Sequence, residues 1–144
     1  MVVKNQDLRL KEGHPLKALE SNQEKTNILD QNRLAYLAGV FDGEGSFGLW
    51  SHGKDRISKV FMMSVEMRDI DIVGRFQEFF GCGTIGYRAP RQEQHSATHV
   101  WKVKGKQAIK CAQRMLIFWG ERRTVKLQRI LLEVRKDYPH LLED

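Results

Sequence analysis

Cysteine and long apolar segments are both scarce in this sequence. The two cysteines, Cys82 and Cys111, do not have the spacing of a metal site, so we interpret them as small core residues of a protein in a reducing intracellular compartment, either cytoplasm or organelle matrix. His95 and His99 lie four residues apart, but no third ligand is near them, which argues against zinc. No apolar run is long enough to span a membrane, so no membrane partner is expected. The N-terminus lacks a signal-peptide pattern, which argues against secretion.

Positive charge is distributed unevenly along the 144 residues. The chain has 24 Lys and Arg residues against 18 Asp and Glu residues, a formal net charge of +6. Residues 1–30 hold five of each sign, so the whole excess lies in residues 31–144. We expect residues 1–30 to form a polar, flexible or loosely docked extension and residues 31–144 to form one domain with its own core. A basic domain attracts polyanions, of which nucleic acid is the commonest.

Hydrophobic periodicity predicts alternating helices and strand pairs in this domain. A first helix, capped by Asp30 or Asn32, is expected to end near Phe41. The order that follows is two strands, a helix, two more strands and two helices, which is an α+β fold with two antiparallel hairpins in one sheet. The predicted bounds of these later elements are 46–51, 56–67, 70–80, 84–89, 97–104, 106–118 and 121–136.

The segment Leu37-Ala38-Gly39-Val40-Phe41-Asp42-Gly43-Glu44-Gly45 joins the first helix to the first strand. Gly39 and Gly43 lie one turn apart on one side of the helix, where another backbone can approach closely. We expect Gly43 and Gly45 to end the helix with positive φ. Acids at a helix C-terminus are disfavoured by about 0.3–1 kcal/mol each, so Asp42 and Glu44 need a positive partner. A divalent cation with oxygen ligands is one candidate, and an exposed polar turn is the alternative.

These nine residues resemble the LAGLIDADG signature of the homing endonucleases. The departures are Gly43 in place of alanine and Glu44 in place of aspartate. The resemblance implies the αββαββα core of that family, over residues of about 31–138, with a saddle-shaped four-stranded antiparallel sheet and C-terminal helices. In that family the sheet lies in the major groove of DNA.

The resemblance also implies an activity, a metal and a partner. A chain with one motif is expected to be a homodimer that packs across Leu37, Gly39 and Gly43. It is expected to bind double-stranded DNA at a long, near-palindromic target and to hydrolyse both strands, leaving short 3′ overhangs. The expected metal is Mg²⁺ or Mn²⁺, with Ca²⁺ as a non-cleaving substitute.

Specific residues carry these roles by the resemblance. Glu44 is the metal-binding and catalytic acid, the Gly43 carbonyl is a neighbouring metal ligand, and Asp42 has a structural role. Family members carry a basic residue near the start of a C-terminal helix, which here is Arg122, Arg123 or Lys126; we favour Arg122 and then Lys126 as catalytic residues. They also carry a polar, water-orienting residue at the end of the second strand.

Met67 occupies that strand end in this sequence, and its side chain cannot orient water. Glu66, Arg68 or Asp69 are candidate substitutes. A degraded active site with an intact dimer helix is typical of a non-cleaving member. The alternative function is therefore a nucleic-acid binder on the same fold, an intron maturase or a transcription regulator.

The outer face of the sheet carries the expected DNA-reading residues. Arginine, glutamine and serine side chains pair with base edges, and lysine suits phosphate contacts. The phosphate candidates are Lys54, Lys59, Lys104 and Lys106. The base-reading candidates are Ser46, Trp50, His52, Arg56, Ser58, Ser64, Glu66, Arg68, Arg88, Arg91, Gln92, Gln94, Thr98 and Lys102.

Overall fold

The computed structural model describes residues 11, 13, 15–52, 54 and 58–143, and of residues 15–23 and His52 it describes the backbone alone. Four helices and four strands make up this part of the chain, and the predicted α+β order is confirmed. The helices are α1 (Pro15–Glu44), α2 (Ile70–Phe80), α3 (Lys106–Met115) and α4 (Glu121–Asp137). The strands are β1 (Gly45–His52), β2 (Ser58–Met67), β3 (Thr84–Arg88) and β4 (Thr98–Lys104), and short 3₁₀ turns cover Leu116–Phe118 and Pro139–Leu141.

The first helix is longer than the sequence predicts. It begins at Pro15, so the predicted start at Asp30 or Asn32 is wrong. Proline is favoured at the first helical position, and the leucine, lysine, glutamate and glutamine residues that follow are good helix formers even without an apolar period. The chain divides into two compact units between Arg33 and Leu34. In the first unit, the side chains of Ile28 and Leu29 are exposed.

One antiparallel sheet organises the second unit, with strand order β1-β2-β4-β3. Its register pairs Phe47 with Met63, Met63 with Val103, and Ile85 with Trp101. Because side chains alternate across a strand, these residues share one face, and Phe47, Met63, Trp101 and Val103 are all at most 2 % exposed. Helices α2, α3 and α4 of this unit contact the strands and cover the inner face. The other face of the sheet is its outer face.

Aromatic rings fill the core on the inner face. Trp119, just before α4, stacks on Phe41 and on Phe47 with centroid distances of 5.2 Å to each. A second group forms where Trp101 of β4 stacks on Phe76 of α2 at 5.0 Å. Burying side chains of this size contributes about 1.5–3 kcal/mol each. The first group joins the end of α1 to β1 and α4, so it fixes the position of the motif.

Gly45 makes the direct passage from α1 into β1. A Cβ at Gly45 would lie 2.5 Å from the Phe41 ring, so only glycine lets that ring reach the backbone. Neither Gly43 nor Gly45 has positive φ, and the expectation that they end the helix that way is wrong. The helix runs through Gly43 to Glu44, and the strand begins at the next residue.

Candidate metal centre and nucleic-acid interface

Asp42, in the last turn of α1, is held by the start of α4. Its Oδ2 accepts a hydrogen bond from the backbone N–H of Gly120 at 3.1 Å, and its Oδ1 lies 3.2 Å from Arg123 Nε. Gly120 is the N-cap of α4, where the helix dipole favours negative charge. The positive partner expected for this acid is therefore Arg123 together with a helix N-terminus, and the carboxylate joins α1 to α4.

Glu44, two residues later, has different surroundings. It is the last residue of α1 and is exposed. Among the described residues, none donates a hydrogen bond to its carboxylate or forms an ion pair with it. Gly43 beside it is also exposed, and its carbonyl lies in the last helical turn, where carbonyls lack an intrahelical donor. This pair presents free oxygen atoms at the junction of helix and strand.

Two basic side chains of α4 reach the same junction. Arg123 donates to the carbonyls of Asp42 and Gly45 at 2.9 and 2.8 Å, and Lys126 Nζ donates to the Phe47 carbonyl at 2.6 Å. Burial, and then the charges of Arg123 and Arg122, lower the pKa of Lys126 below its usual value. Burial also lowers the pKa of Arg123, against the opposing effect of Asp42.

Arg122 is exposed and does not make these contacts. It lies with Lys126 and Arg129 along an open groove on α4. The basic residue that contacts the end of the motif is Arg123, which the sequence interpretation ranked below Arg122. Its position four residues before the buried Leu127 is the sequence signal for this, because residues at that spacing share a helix face.

The two glycines of α1 form part of an exposed helix face. Gly39 and Gly43 are exposed, and a Cβ at either position would meet no atom of this chain within 4 Å. Leu37 does not belong to this face. It is 2 % exposed and packs in the core of its own chain, so its assignment to a dimer interface needs correction. Tyr36 and Val40, which are exposed and half-buried, share the face of the glycines.

The outer face of the sheet collects most of the predicted DNA-reading residues. The register places them opposite the buried face because side chains alternate between the two faces along each strand. Lys102 and Lys104 of β4 are exposed on this face. The predicted residues found there are Ser46, Trp50, Ser58, Ser64, Glu66, Arg88, Thr98 and Lys102.

Three of these residues contact one another. Glu66 accepts hydrogen bonds from Arg88 at 3.2 and 3.3 Å and from Thr98 Oγ1 at 2.9 Å. The carboxylate therefore holds the guanidinium in place on the outer face. The remaining candidates, Arg68, Arg91, Gln92 and Gln94, are exposed outside the strands.

Two predicted residues cannot be placed. The side chain of His52, at the end of β1, and the whole of Arg56 lie outside the described residues. Lys59 is among the described residues, and its predicted role as a phosphate ligand needs correction. It lies on the inner face and binds Glu133 of α4 at 3.0 Å, a hydrogen bond that raises its pKa. Met67, half-buried at the end of β2, packs against the core.

A family model described as LAGLIDADG endonuclease matches residues 37–110, just over half of the 144 residues. The chain belongs to the LAGLIDADG endonuclease family. This endonuclease match begins at Leu37, the first residue of the motif, and extends into α3. No curated protein matches the sequence.

Solved structures of homing endonucleases share the fold of this LAGLIDADG protein. I-CvuI in complex with its target in the presence of calcium has a TM-score of 0.60 at 18 % identity, over 80 % of this chain and 76 % of that one. I-CeuI complexed with DNA has a TM-score of 0.55 at 18 % identity, over 92 % and 81 % of the two chains. I-GzeII in complex with its DNA target has a TM-score of 0.56 at 18 % identity, over 74 % of this chain and 37 % of that one.

The oxygen atoms of Glu44 and Gly43 suit a hard divalent cation whose remaining ligands are water and phosphate. Among the residues described, no three His, Cys, Asp or Glu side chains form a group that could hold a metal. A closed protein cage is therefore absent from this part of the LAGLIDADG chain. Mg²⁺ does not need one, because it binds through one or two carboxylates and completes its shell with water and phosphate. The free carboxylate of Glu44 with the Gly43 carbonyl fits that pattern. In the described residues no helix is long and apolar enough to cross a membrane.

Proposed function

We propose that this LAGLIDADG protein is a homodimeric, metal-dependent homing endonuclease that makes a double-strand break at a long, near-palindromic DNA site. The observation that carries the proposal is the difference between its two motif acids. Asp42 is bound by Gly120 and Arg123, whereas Glu44 is exposed, with no donor to it among the described residues. A carboxylate with free oxygens, beside a helix-end carbonyl, is suited to a metal. The family match supports nuclease chemistry at this position.

Glu44 and the carbonyl of Gly43 would hold the metal, Mg²⁺ or Mn²⁺. When bound, a divalent cation supplies an activated water and stabilises charge on the scissile phosphate. The structures of I-CvuI with DNA in the presence of calcium or magnesium support this class of ion. The sheet residues would fix the position of the DNA and leave the acid at one scissile strand.

Lys126 and Arg122 provide positive charge for the reaction in this proposal. Lys126 is anchored to the Phe47 carbonyl, three residues beyond Glu44, so its ammonium group is fixed close to the motif. It stabilises negative charge on the phosphate and the leaving oxygen. Arg122 projects from the exposed side of α4 and binds a neighbouring phosphate. Arg123 has a positioning role, because its Nε and Nη2 atoms donate to the carbonyls of Asp42 and Gly45 and hold the end of α1 against α4.

A second copy of the chain completes the enzyme. One chain supplies one free acid, and a double-strand break needs one at each strand. Gly39 and Gly43 support packing between copies, since each costs about 1 kcal/mol relative to alanine in a helix and neither is required by a contact within its own chain. Close approach of a second α1 across these glycines explains them. The two-fold axis then makes the target near-palindromic, with cuts that leave short 3′ overhangs.

A second candidate function is a non-cleaving DNA or RNA binder, such as an intron maturase or a transcription regulator. The observation that favours it is Met67, a half-buried side chain packed on the core at the place where a water-orienting residue is expected. Glu66, its neighbour, is engaged by Arg88 and Thr98, which leaves it less able to replace that residue.

Cleavage of a plasmid library separates the two functions. A pool of near-palindromic sites is offered to the protein with Mg²⁺ or with EDTA, beside Glu44→Gln and a control, Asp71→Asn, which removes an exposed acid from α2. The endonuclease cuts a subset of sites, and EDTA and Glu44→Gln abolish cutting while Asp71→Asn leaves it intact. Enrichment of sites by binding, in Mg²⁺ and EDTA alike and without any cut, would establish the non-cleaving binder instead.

A further inference from the structure

The outer face of the sheet is not polar throughout. Near the end of β1 and the start of β2, Trp50 pairs with Val60, and Met62 pairs with Gly48. The indole of Trp50 folds over Gly48, where a Cβ would lie 3.3 Å from its ring. These contacts make Trp50, Val60 and Met62 one continuous surface, which we call the apolar patch.

The apolar patch is separate from the protein's core. Its three residues alternate along their strands with Phe47, Phe61 and Met63, which are fully or almost fully buried on the opposite face. Trp50 is 41 % exposed and lies on the sheet face opposite Phe47. Contiguous apolar side chains on an open face commonly mark a binding surface. The patch lies on the face opposite the core of its own unit, so it is available to a binding partner.

Charge identifies the kind of occupant. Lys104 pairs directly with Met62, and Lys102 lies one position further along the same face of β4. Both lysines are exposed. An apolar patch next to two lysines complements a surface that combines negative charge with small apolar groups. Duplex DNA has that combination, and this step rests on the DNA-binding function proposed above.

The chemistry of the major groove narrows the choice further. Base edges there present hydrogen-bond donors and acceptors, which an apolar side chain cannot satisfy. The exception is thymine, whose C5-methyl group is the one apolar group among the four bases in that groove. We propose that Trp50, Val60 and Met62 read thymine methyl groups, so each half of the target carries thymine at the positions that face this patch.

The neighbouring row of the sheet has a different chemistry. Ser46 and Ser64 pair with each other, and Lys102 pairs with Ser64, so this row can bond to base-edge oxygen and nitrogen atoms. The outer face thus divides into a methyl-reading segment near the end of β1 and a hydrogen-bonding segment nearer the motif. The order of these two segments along each strand predicts the order of thymine-dependent and thymine-independent positions along the half-site.

Deoxyuridine provides the direct test, because it pairs like thymidine and lacks only the methyl group. The protein selects sites from a pool of randomised near-palindromic duplexes, and the enriched site is resynthesised with uracil at one thymine position at a time. Removing one well-buried methyl group is worth about 0.8 kcal/mol, so we expect about fourfold weaker binding for each thymine that faces the patch. Thymines elsewhere in the site should tolerate uracil.

Two protein variants assign the effect to the patch. Val60→Ser removes both methyl groups of the side chain and introduces a hydroxyl, so it should bind the thymine and uracil sites with nearly equal affinity at the position that Val60 faces. Lys104→Ala should weaken both sites by the same factor. Thermal unfolding confirms that each variant is folded, and Met62→Gln takes the place of Val60→Ser if that variant is not.

The outcomes separate this inference from the function on which it rests. An enriched site whose binding does not change with uracil at any position overturns the thymine inference and leaves DNA binding intact. If Lys104→Ala also lost the difference in affinity between the thymine and uracil sites, to the same extent as the patch variant, that result would overturn the thymine inference too. A pool that yields no enriched sequence at all refutes the DNA-binding function itself, and the inference with it.

Discussion

Two carboxylates that are two residues apart in the motif have unlike surroundings. Asp42 is bonded to the first turn of α4, whereas Glu44 is exposed at the end of α1. The same change made at each should therefore affect different properties. The charge of Asp42 stabilises the fold, and the charge of Glu44 serves the proposed reaction.

Asp42→Asn should lower the free energy of unfolding by about 1–2 kcal/mol, because it weakens a charge-assisted bond to Gly120 and removes the ion pair with Arg123. The value is modest because Asp42 is partly exposed. Glu44→Gln, the matched control, should leave the unfolding midpoint in urea unchanged. Equal destabilisation by the two substitutions would contradict the division of roles.

Lys126 predicts a pH dependence for the proposed cleavage. Its ammonium form exists below its pKa, and burial with neighbouring arginines places that pKa below 10.5. As pH rises, the parent protein should lose this charge earlier than an ordinary lysine would. Single-turnover cleavage should fall on the alkaline side, and Lys126→Arg, which stays charged, should not show that fall. Identical alkaline profiles would exclude Lys126 as the titrating group, provided DNA binding is constant over the range.

The two cysteines should differ in reactivity. Their Sγ atoms are 3.7 Å apart, and burial, followed by the neighbouring Cys82, raises the pKa of Cys111. The thiolate is the nucleophile, so Cys111 should react slowly with iodoacetamide, and the half-buried Cys82 should react first. Peptide mass spectrometry of briefly alkylated native protein reports the order. Alkylation of Cys111 as fast as Cys82 would show that the α3 site opens readily.

Some residues of the candidate site can be identified from the sequence and others cannot. The motif itself located Asp42 and Glu44, since its pattern is local. The motif does not distinguish Arg122 from Arg123. Side chains of adjacent helix residues point about 100° apart, so the rotation of α4 about its own axis decides which of the two reaches the end of α1. Leu37 was misplaced for a related reason. Apolar spacing identifies a buried helix face, but it does not say whether the burying surface belongs to the same chain.

At the scale of elements, the alternation of apolar and polar residues was sufficient for most of the fold. The bounds of α2 match the prediction, and those of β2 to β4 and α4 differ by one or two residues at their ends. The prediction was poorest for α1, where residues 15–30 have helix-forming composition but no apolar stripe. Such a segment can be helical without burying a face, so hydrophobic periodicity does not detect it.

The glycine face of α1 gives a prediction at this scale. Gly39→Leu should raise intrinsic helix propensity by about 1 kcal/mol, and its Cβ would meet no atom of its own chain within 4 Å, yet it should weaken the proposed dimer. Gly74→Leu is the matched control, since Gly74 lies inside α2 and also has open space at its Cβ position. Sedimentation should show a shift to monomer for Gly39→Leu alone. A dimer that survives this change would place the interface elsewhere.

Over the whole molecule, the net charge of +6 favours the approach of a polyanion, and the number of phosphates that the protein neutralises would set how DNA binding responds to salt. In the proposed complex, lysines neutralise phosphates and counterions leave the DNA, so affinity for the target should fall by about 10³–10⁵ between about 50 and 200 mM salt if six to ten phosphates are contacted. Lys104→Ala should reduce the slope of log K against log salt by about 0.9 for each phosphate that the variant no longer neutralises. Fluorescence anisotropy over a salt series measures both, and an unchanged slope would show that Lys104 binds no phosphate.

The direct passage from α1 to β1 also limits how this chain can change in length. No residue separates Glu44 from Gly45, so one added residue would turn the helix by about 100° relative to the strand. That rotation would carry Gly39 and Gly43 off their face and would break the contact between Asp42 and Gly120. The exposed segment between β3 and β4 has no such constraint. Insertions and deletions should therefore accumulate there among relatives, while the junction keeps its length.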